Sequence, residues 1–282
     1  MNQVVITGAT RVVGVIGSPV RHSLSPALHN AAFAAARVPW VYVAFDVAPG
    51  RAADALVAVR TLGLGGLSVT MPHKDDIADA VDELDPAAAA LHSVNTVIPL
   101  PDGRMKGYNT DGEGFVAALR EAGHDPAGRH IVVLGAGAAA RAVIDALARS
   151  GADELVIVNR SMERARVAVS LAGSRGRVGS QDDVRQCDMV VNATSVGLGS
   201  NEMPLDPALL RTGQVVADLV YHPLDTALLL AARDVGADTV DGLGMLVHQA
   251  VMQQQLWLGS RPDAQVMRAA ALEELAARAQ IA

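Results

Sequence analysis

The sequence predicts an α/β protein of two domains, and three observations predict it. Its 282 residues are 50% hydrophobic but only 3% aromatic, so the apolar content is mostly Ala, Val and Leu. That composition suits parallel strands covered by Ala-rich helices. Short apolar runs alternate with longer helical patterns along the chain. A polar, Gly- and Pro-containing break at Pro126–Arg129 separates one such alternation from the next, and the length allows two modest domains at about 100–200 residues each.

The elements follow in order. Met1–Thr10 reads as a leader. Arg11–Gly17, RVVGVIG closed by Ser-Pro, reads as a buried strand. Ser25–Arg37 reads as a helix with Pro26 at a first-turn position. Val41–Val47 is a second strand, Arg51–Leu62 a second helix, and Leu67–Thr70 a third strand that feeds a helix starting at Pro72. This is a βαβαβ unit with mostly parallel strands. Beyond the break come a strand at His130–Leu134, a helix to Ser150, and strands at Leu155–Asn159, Met189–Asn192 and Val215–Val220. From Leu243 onward the chain reads as helical.

Charge and cysteine content narrow the function. With 23 basic and 30 acidic residues the net charge is −7, and no basic run tracks a phosphate backbone, which argues against nucleic acid as a partner. The single cysteine, Cys187, rules out a disulfide framework and Cys-rich metal sites, so no metal is expected. The start of the chain lacks a basic segment followed by an apolar run and a cleavage site. No apolar stretch reaches the roughly 18–20 residues of a membrane helix. A cytoplasmic protein with no membrane partner is expected.

Gly135-Ala136-Gly137-Ala138-Ala139-Ala140 fits G-x-G-x-x-[GA], and it follows an apolar strand and opens an Ala-rich helix. The first Gly makes a tight turn, the second lets backbone approach a pyrophosphate, and Ala140 allows close helix–strand packing. The helix N-terminus then offers N–H groups to phosphate. The bland alternative is a Gly-rich turn with no ligand. Thr7-Gly8-Ala9-Thr10 with Gly14 is a decoy, because a strand and not a helix follows it. At the end of the next strand stand Asn159, Arg160 and Ser161, with Arg164 one turn on. A carboxylate there would accept from a ribose 2′-OH. Two guanidinium groups and a hydroxyl suit a 2′-phosphate, hence NADP over NAD. The alternative is two solvated arginines at a helix start.

The first half carries other polar clusters. Ser23 and Ser25, spaced i, i+2 before a helix, make a carboxylate cradle beside free helix N–H groups, although Ser25 also reads as an ordinary N-cap. Thr70 ends the third strand and Lys74 follows it, and a lone Lys is usually solvated. Asn95-Thr96 and Gly107–Gly112 fall at element ends. A Lys and an Asp from different elements can form an acid–base pair.

These segments resemble the shikimate dehydrogenase family over nearly the whole chain: GSPVRHSLSPALHN (17–30), GLSVTMPHK (66–74), SVNT (93–96), GYNTDGEG (107–114), GAGAAAR (135–141), NRS (159–161), NATSVG (192–197), DLVYHPLDTALL (218–229) and GLGMLVHQ (242–249). The resemblance implies a substrate-binding catalytic domain at 1–112, completed by returning C-terminal helices at 249–282, and a Rossmann-type NADP domain at 113–248. It makes Lys74 and Asp111 the catalytic pair. Ser23 and Ser25 then hold a carboxylate. Thr70, Asn95, Tyr221 and Gln249 contact ring hydroxyls or the carboxylate region. Gly135, Ala136, Gly137, Ala138 and Ala139 form the phosphate loop. Asn159, Arg160, Ser161 and Arg164 form the adenosine-phosphate site, and Thr194, Leu219 and Gly242 stand near the nicotinamide end. Three departures are visible. His92-Ser93 replaces the commoner Gly-Ala, Ala138-Ala139 a Gly pair, and Ser161 a Thr.

The implied activity is reversible reduction of 3-dehydroshikimate to shikimate with NADPH, an oxidoreductase step of aromatic amino-acid (chorismate) biosynthesis, by a monomer or homodimer. The cleft between the two domains is expected to hold both ligands. Quinate or aminoshikimate dehydrogenase is the sibling alternative, and a non-catalytic NADP-binding regulator is the alternative from another class.

Overall fold

Arg11–Gly17 (β1) forms at the bounds of its apolar run, with its last five residues buried. The computed structural model describes residues 5–280; residues 1–4 of the expected leader, and 281–282, lie outside the described residues. Thr7–Thr10 forms a turn closed by Thr10 N–H to the Thr7 carbonyl, 3.0 Å, so the glycine decoy sits in a turn ahead of a strand.

The chain divides into two compact units, one of residues up to Thr110 together with those from Gln249 onward, the other Asp111–His248. The first is built from β1, α1 (Ser25–Ala36), β2 (Trp40–Asp46), α2 (Ala52–Leu62), β3 (Leu67–Val69), α3 (Lys74–Ala80), β4 (Glu83–Leu84), α4 (Pro86–Leu91), β5 (Thr96–Pro99) and β6 (Met105–Tyr108). Its strand order is β2-β1-β3-β5-β6-β4. The first three strands are parallel as expected, but β5 runs antiparallel to both β3 and β6. β2 begins one residue earlier than its sequence pattern because the ladder with β1 pairs Arg11 with Trp40 and Gly17 with Asp46. The expected helix start at Pro72 is wrong by two residues. His73 N–H closes a turn onto the Thr70 carbonyl, 3.0 Å, and the helix begins only at Lys74.

The second unit comprises α5 (Asp111–Glu121), β7 (His130–Leu134), α6 (Ala138–Arg149), β8 (Glu154–Val158), α7 (Met162–Leu171), β9 (Gly176–Val178), β10 (Met189–Asn192), β11 (Val215–Asp218), α8 (Ala227–Asp234) and β12 (Asp238–Val240). All six strands are parallel in the order β12-β11-β10-β7-β8-β9, the doubly wound arrangement of a Rossmann-type fold. One face of the sheet packs on α5, α6 and α7 through Phe115, Val143 and Ala165; the other packs on α8 and neighbouring loops through Leu229, Leu209 and Val184. β11 stops at Asp218, short of the expected Val220, because the Asp218 carboxylate accepts the Val220 N–H at 3.0 Å and turns the chain out of the ladder.

α9 (Gly242–Leu258) begins in the second unit and ends in the first, and α10 (Ala264–Ala279) packs on α1. Trp257 of α9 joins Phe33, Trp40 and Tyr42 in one aromatic cluster. At its centre His29 stacks on Tyr42, centroids 4.3 Å apart, and the Nδ1–H of its neutral ring donates to Gln254 Oε1 at 3.3 Å. Burial lowers the His29 pKa to about 4. The unfolded chain binds a proton at this imidazole below about pH 6.5, the folded chain only near pH 4, so stability falls as pH falls through that window. Between pH 7 and 4.5 the residue is predicted to cost roughly 2–3 kcal/mol. Urea unfolding of wild type and of His29→Phe combined with Gln254→Leu measures this; equal losses in both would contradict it.

Candidate active site

In the first unit the polar residues meet because turns are laced together by backbone. A side chain at Gly17 would come within 2.5 Å of Thr70 Cγ2, so only glycine lets the end of β1 close on Thr70. Thr70 N–H donates to the Ile16 carbonyl and Ser18 N–H to the Met71 carbonyl, 2.9 and 3.0 Å. Lys74, half-buried at the first position of α3, accepts the Val94 N–H on its backbone carbonyl at 2.9 Å. Thr70 and Lys74 are thereby gathered with Asn95, some twenty residues on, at the same end of the sheet.

Asn95 is the most heavily bonded of them. Its Oδ1 accepts from Thr110 N–H and from Thr96 Oγ1, and its Nδ2 donates to Thr110 Oγ1, at 2.8–2.9 Å. Thr110 Oγ1 also lies 3.3 Å from the Gln249 carbonyl, which brings α9 to the cluster. Asp111 follows directly as the first residue of α5, buried, in the second unit, and Tyr221 is half-buried in that unit too.

The serine pair differs from expectation. Ser25 is the first helical residue and Leu24 the N-cap, which cannot cap by its side chain. Ser25 N–H donates to Ser23 Oγ at 3.2 Å, Ala27 N–H to the Leu24 carbonyl at 3.0 Å, and Pro26 has no N–H. The α1 terminus therefore offers no row of free amides, and an anion here meets hydroxyls. Arg278 of α10 fixes this loop by donating to the His22 and Ser23 carbonyls at 2.6 and 3.3 Å.

In the second unit, Gly135 sits at φ +111°, and a Cβ there would lie 2.9 Å from the Ala193 carbonyl oxygen. Gly137 is the N-cap of α6 and has nothing within 4 Å of where its Cβ would point. A helix N-terminus that begins at such an uncovered glycine can present its N–H groups to a phosphate. Ala140 is fully buried. Asn159 Nδ2 donates to the Ser161 carbonyl at 2.9 Å, and Ser161 Oγ caps α7 by accepting Arg164 N–H at 3.3 Å, which leaves its O–H able to donate. Arg160 and Arg164 are exposed, and their guanidinium groups pair with no carboxylate among the described residues. Thr194 Oγ1 donates to Asn192 Oδ1 at 2.7 Å. Gly242 lies against the Leu219 carbonyl so closely that no side chain fits, so two residues expected at the nicotinamide end do meet. This donor set fits NADP.

Three supporting residues were assigned no role from the sequence, although Asn192 and Asp218 open the segments NATSVG and DLVYHPLDTALL. Gln253, 2% exposed, accepts from Ser68 Oγ at 2.8 Å and donates to the Asn95 carbonyl at 3.2 Å. Asn192 and Asp218 buttress Thr194 and the 219–221 turn. The available signal was polar side chains inside apolar segments: Gln249 and Gln253 at i, i+4 on α9, and Asn192 and Asp218 closing apolar strands.

Comparison with known proteins follows this geometry. Residues 15–97 match the model of the shikimate dehydrogenase substrate binding domain, 117–198 that of shikimate/quinate 5-dehydrogenase, and 242–272 the shikimate 5′-dehydrogenase C-terminal domain. The chain is 46% identical over 274 residues to shikimate dehydrogenase (NADP(+)) of Moorella thermoacetica, covering 93% of this chain and 92% of that one. A crystal structure of shikimate 5-dehydrogenase from Thermus thermophilus with NADP(H) and shikimate is similar with a TM-score of 0.89 at 35% identity, covering 93% and 99% of the two chains. Quinate dehydrogenase from Corynebacterium glutamicum, in complex with NAD, gives a TM-score of 0.88 at 32% identity, covering 94% and 99%.

The two loop glycines are predicted to behave oppositely. Gly135→Ala should destabilise the protein by about 1–3 kcal/mol, because its backbone is in a region that L-residues avoid. Gly137→Ala should cost about 1 kcal/mol or less yet weaken NADP⁺ binding at least about tenfold. Urea unfolding and calorimetric titration check both; a Gly137→Ala protein with wild-type affinity would remove this loop from the cofactor site.

Proposed function

Because this chain belongs to the shikimate dehydrogenase family, we propose that it catalyses the reversible, NADP-dependent reduction of 3-dehydroshikimate to shikimate, a step of aromatic amino-acid biosynthesis. It acts in the cytoplasm as a monomer or homodimer. The observation that carries this reading is the gathering of Thr70, Lys74 and Asn95 at one end of the first sheet, with Asp111 one residue beyond the Thr110 that locks Asn95.

NADPH supplies the hydride when bound. Gly135, Ala136, Gly137, Ala138 and Ala139 would hold its pyrophosphate, and Arg160, Arg164, Ser161 and Asn159 its 2′-phosphate. Thr194, Leu219 and Gly242 would line the nicotinamide end. The unpaired guanidinium groups and the lack of a carboxylate at the end of β8 favour NADP over NAD, and so favour this reading over an NAD-dependent quinate dehydrogenase.

The chain's own groups handle the substrate. Ser23 and Ser25 hydroxyls donate to its carboxylate. Thr70, Asn95, Tyr221 and Gln249 sort the ring hydroxyls and the carboxylate region. As negative charge develops on the ketone oxygen, Lys74 Nζ gives it a proton; in the oxidation direction the same nitrogen takes the hydroxyl proton. Asp111, assigned with Lys74 as the catalytic pair, keeps a ring hydroxyl in register.

Lys74→Ala is predicted to lower kcat by roughly 10²–10⁴ with small changes in substrate KM. Asp111→Asn should lower kcat and weaken substrate binding as well. The double variant should be scarcely slower than the worse single one, because each change disables one shared device. Thermal melting must first show the variants folded. A folded Lys74→Ala protein with near wild-type turnover, or full additivity of the two changes, would overturn the assignment.

A further inference from the structure

Asp218 is a buried carboxylate to which the proposed function assigns no contact with phosphate or substrate. It closes β11 and is 1% exposed. Its Oδ1 accepts from Asn192 Nδ2 at 2.9 Å and from Val220 N–H at 3.0 Å; its Oδ2 accepts from Thr226 Oγ1 at 2.8 Å. All three donors are neutral, and among the described residues no Lys or Arg pairs with it. Three donors converging on two oxygens match the ionised, acceptor-only form. Burial opposes that charge and pushes the Asp218 pKa up, while the three hydrogen bonds pull it down. Burial is the larger of the two effects, so the Asp218 pKa lies above the ordinary carboxylate value, and where the group is ionised its charge is met by hydrogen-bond dipoles and by no cation among the described residues.

The sheet order tells where that field falls. With β8 on one side of β7 and β10 then β11 on the other, a dinucleotide laid across the strand ends puts its adenosine phosphate over the Asn159–Arg164 side and its other half over β10 and β11. Asp218 stands beside Asn192 in the β10–β11 register. Asn192 Oδ1 in turn accepts from Thr194 N–H and Oγ1 at 3.1 and 2.7 Å. The residue after Asp218 is Leu219, whose carbonyl abuts Gly242. The buried carboxylate thus adjoins Leu219 in the chain and reaches Thr194 through Asn192 and Gly242 through the Leu219 carbonyl.

We propose that Asp218 sets the redox preference of this site by favouring the cationic, oxidised nicotinamide over the neutral, reduced one. NADP⁺ and NADPH share every other group, so a fixed negative charge acts on the difference between them. The proposal rests on the reading that this unit holds NADP.

Dissociation constants for NADP⁺, NADPH and 2′,5′-ADP, measured by calorimetry without substrate, test it. In Asp218→Asn, NADP⁺ should weaken roughly tenfold relative to NADPH, while 2′,5′-ADP, which lacks nicotinamide, binds as in wild type. Asp218→Ser, smaller and also neutral, should act the same way. An unchanged NADP⁺ to NADPH ratio in a folded neutral variant overturns the proposal, as does an equal loss of all three ligands, which marks a purely structural residue. If neither variant folds, the wild-type ratio decides: roughly tenfold tighter NADP⁺ binding is expected, and equal affinities overturn the proposal. Failure of wild type to bind any of the three would instead remove the NADP reading itself.

Discussion

The first unit depends on the buried carboxamide and backbone of Asn95. Its side chain holds Thr110 and Thr96, its N–H donates to the Tyr108 carbonyl, and its own carbonyl accepts from Val69 N–H and Gln253 Nε2. Four segments, the ends of β3 and β6, the start of β5 and the middle of α9, therefore share one buried polar node. Opening any of them strands desolvated polar groups at about 1–3 kcal/mol each. The node fixes where Thr70 and Lys74 stand, and it carries the chain through Thr110 directly to Asp111. Asn95 is thus an organiser of the site as well as a group proposed to meet substrate.

The second unit rests on a different constraint, close backbone approach. Glycine is required where the Gly135 loop nears the Ala193 carbonyl, where Gly242 meets Leu219, and where Gly112 of α5 presses on the Ala142 carbonyl of α6. These contacts fix the loop ends above the parallel strands, where a dinucleotide meets helix N–H groups. The exposed guanidinium groups of Arg160 and Arg164 lie on the β8 side, and the buried Asp218 carboxylate on the β11 side. The unit therefore carries cations on one side of its strand ends and a buried carboxylate on the other, the arrangement on which the proposed cofactor placement rests.

Much of this was legible in the sequence, for physical reasons. Apolar runs of three or more residues bounded by polar or turn residues mark β1, β7 and β10 to the residue. Strands of two or three residues, β4, β9 and β12, are too short to show a period. β5 and β6 hide among polar residues because their termini hold the site, and with them went the antiparallel half of the first sheet. His92 shows how a family departure reads structurally. It ends α4 in the left-handed region at φ 46°, a conformation that the commoner glycine adopts without strain. The loop glycines and the Asn-Arg-Ser end of β8 could be proposed for phosphate from the sequence because phosphate binding needs those residue types. The roles of Gln253, Asn192 and Asp218 were not legible, even though the last two open matched segments, since a polar side chain in an apolar segment gains meaning only when its partner, distant in sequence, is known.

The central claim is that this fold carries shikimate oxidation with NADP⁺. Initial rates of the purified protein with shikimate and with quinate, each with NADP⁺ and with NAD⁺, test it most directly. Shikimate with NADP⁺ is predicted to give the highest kcat/KM, exceeding shikimate with NAD⁺ by roughly 10- to 150-fold, the scale of losing one charge-assisted contact. A higher kcat/KM for quinate, or for NAD⁺, would contradict the claim.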